Sequence, residues 1–227
     1  MNIIIKALLV YYVITFIILI IVSYKENLEK YRIYAKICVS LGFAYMGFYA
    51  AKACENIEFA RCMVIGFVMC FVGDILLGIV TVNGMKRYIK EGLLSFLFGH
   101  IMFISGIIKI SGVTKYNLIG LGISIVYVVF FLPFIYKSKV QIGKMKKPVI
   151  AYVFIVSSLF MTGLAAFLAS QITMRTTFIL IGTLLFLISD TCIFFLYYYR
   201  KHRQILQFFV SLTYYLAQML LVFSLFP

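Results

Sequence analysis

Phe71-Val72-Gly73-Asp74-Ile75-Leu76-Leu77 and Phe186-Leu187-Ile188-Ser189-Asp190-Thr191-Cys192-Ile193-Phe194-Phe195 decide how this chain is read. Each stretch sets one carboxylate in the middle of a long apolar run. An acid at membrane depth costs at least about 2.5 kcal/mol on insertion scales, so it needs a partner or a task. Two such acids in similar local sequence predict a shared polar site inside a helical bundle.

The runs around them read as membrane spans. The chain is 64% hydrophobic and 12% charged, with a mean hydropathy of +1.09. A soluble domain of 227 residues could not hide that much apolar surface. The apolar stretches are about 20 residues long, the length that crosses the hydrocarbon core. They are continuous rather than alternating, which favours helices over a β-barrel. The expected fold is an all-α membrane bundle of eight spans, near 2–22, 33–51, 58–81, 92–111, 116–136, 148–170, 175–199 and 204–226. Short connections predict a single multi-pass domain over 1–227. The first run lacks a small-x-small cleavage site, so it reads as a span rather than a signal peptide.

The formal charge of +14 does not point to nucleic acid. Fifteen of the 21 Lys and Arg fall on alternate connections: Lys25, Lys30, Arg32 and Lys36; Lys86, Arg87 and Lys90; Lys137, Lys139, Lys144, Lys146 and Lys147; Arg200, Lys201 and Arg203. The positive-inside rule puts these loops in the cytoplasm and both termini outside. They also suit anionic lipid headgroups. His202 lies in one such loop and reads as solvated. The five cysteines show no CxxC spacing and read as small packing residues.

With that topology, Asp74, His100, Asp190, Tyr214 and Gln218 all lie roughly 10–20 Å below the same boundary. Tyr214 and Gln218 are four apart and share a helix face. Gly73 and Ser189 precede the acids and allow close approach. Gly66 and Gly182 each stand eight residues before an aspartate, an echo compatible with two parallel four-helix halves.

At these residues the chain resembles the YhhN-like integral membrane proteins, which include the lysoplasmalogenases. The matching pieces are Gly73-Asp74, Gly99-His100, Lys146-Lys147-Pro148-Val149 with Ala151-Tyr152, Phe186-x-x-Ser189-Asp190, and Thr213-Tyr214-Tyr215-x-Ala217-Gln218. The resemblance implies an eight-helix fold, a site containing Asp74 and Asp190, and hydrolysis of the vinyl ether bond of lysoplasmalogens. The products would be a fatty aldehyde and glycerophosphoethanolamine or glycerophosphocholine.

That chemistry calls for a proton donor and for a carboxylate facing a developing oxocarbenium ion. Two nearby carboxyls, which cannot both ionise cheaply, fit it. Asp74 and Asp190 are the candidate catalytic residues. His100, Tyr214, Gln218, Ser189, Lys36 and Tyr152 are candidate binding or supporting residues, with Lys36 read as meeting the lipid phosphate or snorkelling. The expected partners are a lysophospholipid substrate and membrane lipids. A metal hydrolase is the enzyme alternative, since two carboxylates and one histidine can bind a divalent ion. But two histidines cannot make a three-His zinc site and no cysteine cluster compensates, so no cofactor or metal is expected. The expected location is the bacterial inner membrane, with the site's mouth toward the cytoplasm. A lipid or proton-coupled transporter is the competing class, since intramembrane acids also serve proton relays. A scaffold would not need aligned acids.

Overall fold

In hydrocarbon every backbone N–H and C=O must be satisfied within its own segment, and a continuous helix does this. The computed structural model describes residues 3–83, 88–137, 146–170, 172–198 and 203–226. Among the described residues there are eight α-helices: α1 (Ile3–Tyr24), α2 (Arg32–Ala51), α3 (Ile57–Asn83), α4 (Tyr88–Ser111), α5 (Lys115–Lys137), α6 (Lys146–Ala169), α7 (Met174–Tyr198) and α8 (Arg203–Phe223). All eight are long and apolar enough to cross a membrane, as an integral multi-pass protein requires. Boundaries fall within a few residues of the expected spans. The exception is α4, which begins about a turn earlier, at Tyr88. A 3-10 turn, Glu26–Tyr31, joins α1 to α2. Lys86, Arg87, Lys139, Lys144, Arg200, Lys201 and His202 lie outside the described residues.

Packing runs in a ring: α1, α2, α3, α4, α6, α7, α8 and back to α1, with α5 leaning mainly on α6. Only 22% of the apolar window is buried in α1 and in α5, against 33–50% in the other six. These two helices therefore present most of their surface to lipid.

Small residues set the closest approaches. Gly47 lies against the ring of Phe67, and Gly66 against that of Phe103, with no room for a Cβ at either position. Phe43, Phe67, Phe103, Phe186 and Tyr215 are fully or almost fully buried and pack as one cluster in the ring's centre.

Candidate functional site

Lys36 and Ser40 are one helical turn apart on α2 and so point the same way. Both reach Asp74 of α3. The Lys36 Nζ lies 2.7 Å from Asp74 Oδ1, and Ser40 Oγ donates to Asp74 Oδ2 at 2.6 Å. A third donor comes from α8, where the Tyr214 hydroxyl gives Asp74 Oδ2 a bond of 2.9 Å. One turn further on, Gln218 Nε2 donates to that same hydroxyl at 3.0 Å. The Ser40 and Tyr215 hydroxyls are 3.2 Å apart, and Tyr12 of α1 donates to the Tyr215 carbonyl at 2.7 Å. Asp74 is 1% exposed. Its charge is met by an ammonium and two hydroxyls, which is how a carboxylate tolerates low dielectric.

Asp190 of α7 sits in different company. Its Oδ2 is buried without a partner. Asp190 also lines a cleft of about 20 Å³ with Tyr127, Phe131, Val156 and Thr191, room for about one water. Tyr152 of α6 lines the same cleft. The Tyr127 hydroxyl lies 2.8 Å from Thr191 Oγ1 and fixes one wall.

His100 is 1% exposed, and neither ring nitrogen has a partner. Its ring is held by aromatics, with centroids 5.1 Å from Phe186 and 5.6 Å from Tyr152. Gln218 Oε1 is likewise buried and unpartnered. Leaving such a group unsatisfied costs about 1–3 kcal/mol, and native interiors contain few. Here Asp190 Oδ2, both His100 nitrogens and Gln218 Oε1 lie around the same few side chains. They could hold a polar ligand group or a water, and they supply both donor and acceptor capacity.

No hydrogen bond joins the two aspartates. Asp74 reaches Gln218 through Tyr214, and Asp190 shares its cleft with Tyr152, whose ring meets that of His100. Lys36 couples Asp74 to a cation, so the simple picture of two like charges sharing one proton does not describe this arrangement. Lys36 is engaged with Asp74, not free at the interface. Ser189 points to α8, donating to the Val210 carbonyl at 3.3 Å, and serves helix packing. Lys146 lies over the Tyr136 ring, 4.8 Å from its centroid. A larger apolar groove of about 360 Å³, lined by Ile20, Ile21, Tyr24, Lys25, Ile205 and Phe208, contains none of these polar residues.

The sequence reading missed Ser40, Cys70 and Tyr215 as site members. Ser40 is detectable in principle, being four residues from Lys36. Cys70 is four from Asp74 and lies against Gly99. Among the described residues, no three His, Cys, Asp or Glu side chains gather as a metal-ligand set.

Neither a curated protein nor a solved structure matches this sequence. The family model described as the YhhN family matches residues 31–225, from the start of α2 to beyond the end of α8, and the chain belongs to that family.

Proposed function

We propose that this protein is a lysoplasmalogenase-like membrane hydrolase that cleaves the vinyl ether bond of lyso-ether phospholipids. The observation that carries the reading is a pair of intramembrane carboxyls that connect to unpartnered polar atoms, Asp74 through Tyr214 to Gln218 and Asp190 past Tyr152 to His100. Membership of a family that includes lysoplasmalogenases supports the substrate class.

The reaction adds a proton to the outer alkene carbon and leaves an oxocarbenium ion. Water attacks that ion and gives up a proton. The hemiacetal then collapses to a fatty aldehyde and the glycerophospho-alcohol. One carboxyl supplies the first proton, and fixed negative charge nearby favours the cation. His100 and Gln218 offer hydrogen bonds for the water or for the glycerol hydroxyl. The alkenyl chain lies among apolar helices. We place the protein in the bacterial inner membrane with its basic loops inward, on the distribution of Lys and Arg.

The competing reading is proton-coupled transport. It draws on the bonded chain from Gln218 through Tyr214 and Asp74 to Ser40. The test is aldehyde release by the purified protein in detergent with lysoplasmalogen. Release that depends on Asp74 and Asp190 is the expected result. No release, with lipid or proton movement across proteoliposomes, would overturn hydrolysis in favour of transport.

A further inference from the structure

The bundle is built twice. Asp190 follows Asp74 by 116 residues (190 less 74), and Tyr152 follows Lys36 by the same interval. Gly47 lies against Phe67, and Gly163 against Thr183, again 116 residues on for both members. Between α4 and α8 the interval is 118 (218 less 100). Gly66 meets Phe103 as Gly182 meets Leu221. Helix contacts follow the same exchange in part: α2 packs on α8 as α4 packs on α6, whereas α1 also reaches α8 and α5 stays chiefly on α6. The shallowly buried helices, α1 and α5, open each half. Phe96 and Tyr214 are equivalents and touch each other edge to face at 5.9 Å, so the local two-fold passes between them. This is a parallel repeat about an axis along the membrane normal.

The repeat allows the two acids to be compared group by group. The three donors on Asp74 are Lys36, Ser40 and Tyr214. By the repeat intervals their equivalents are Tyr152, Val156 and Phe96. A cation has become a phenol, and two hydroxyl donors have become hydrocarbon. Asp190 also lines a cleft, whereas Asp74 is sealed.

We propose that the duplicated acids have divided the work, with Asp190 the catalytic residue that gives its proton to the substrate and Asp74 a positioning residue acting through Tyr214. This rests on the vinyl ether reading. The Asp190 carboxyl protonates the alkene carbon and becomes a carboxylate against the oxocarbenium ion. The attacking water returns the proton to it, so the acid is regenerated. Asp74 stays paired with Lys36 throughout and holds the Tyr214 ring at the axis.

The experiment compares wild type, Asp190→Asn, Asp190→Glu and the double variant Lys36→Met/Asp74→Asn, which removes both members of the ion pair. Three readouts are taken: aldehyde release, binding of a saturated-ether lysophospholipid that cannot be hydrolysed, and the infrared carbonyl stretch of a protonated carboxyl. Losing a proton donor costs about 10²–10⁴ in rate. Asp190→Asn is expected to lose about 10³ in kcat with analogue binding retained and the infrared band gone, and Asp190→Glu to recover part of the rate. The double variant is expected to keep the band and lose about tenfold. A band that survives Asp190→Asn overturns the division of roles, whether or not the double variant folds. A folded double variant that falls as far as Asp190→Asn overturns it too. If wild type releases no aldehyde, the hydrolase reading fails, and the infrared band still decides which acid holds the proton.

Discussion

Helix α3 takes part in two ion pairs of equal length in opposite surroundings. Lys36–Asp74 and Lys109–Glu58 both measure 2.7 Å. The side chains of the first are 20% and 1% exposed, those of the second 51% and 66%. Glu58 lies in the first turn of α3 and Lys109 in the last turn of α4, so each also meets a favourable helix end. The outer pair could separate with water taking over both charges. The inner pair could not, because the surroundings of Asp74 are helices. A contact distance therefore says little about consequence, and the dielectric around it says most.

The largest effect should come from breaking the inner pair on one side. Asp74→Asn leaves the Lys36 ammonium without its counter-charge and should cost about 3 kcal/mol, at the low end for buried pairs because Lys36 can swing toward the surface. A thermal melt in detergent measures this, and aldehyde release should fall with it. Adding Lys36→Met to Asp74→Asn should restore much of the lost stability, since no lone charge remains. Simple addition of the two single effects would contradict the buried-pair account. Next in size is Tyr214→Phe, which removes one bond to Asp74 and one from Gln218. About 1–3 kcal/mol is expected, read in the same melt. The smallest effect belongs to the outer pair. Glu58→Gln should leave both the melting temperature and the rate of aldehyde release where they were, and a marked loss of either would mean that exposure is a poor guide here.

The inner pair also marks where sequence reading stops. The eight spans are legible because nearly every residue in them is apolar, and hydrocarbon rather than periodicity decides their ends. The 3-10 turn at Glu26–Tyr31 carries no such signature. The early start of α4 escaped because a helix can run past the hydrocarbon into a basic loop, where composition no longer marks it. Asp74, Asp190, His100 and Gln218 are conspicuous because each is expensive at depth. Ser40 and Cys70 are not, since small residues are common in any span. The partner of Lys36 depends on the rotation of α2 against α3, which uniform apolarity does not reveal. Only a few identical pairs, Gly47 and Gly163, Gly66 and Gly182, Asp74 and Asp190, disclose the repeat. Lys36 and Tyr152, or Phe96 and Tyr214, share too little chemistry to be paired by eye.

The outlying position of α5 bears on how a fatty molecule would travel. Tyr127 and Phe131 of this helix wall the Asp190 cleft, and α5 rests chiefly on one neighbour. A tail arriving sideways past it stays in oil throughout, avoiding the ~0.8 kcal/mol that each methylene would cost on passing through water. On the proposed lipid reading, α5 would then be the threshold to the carboxyl.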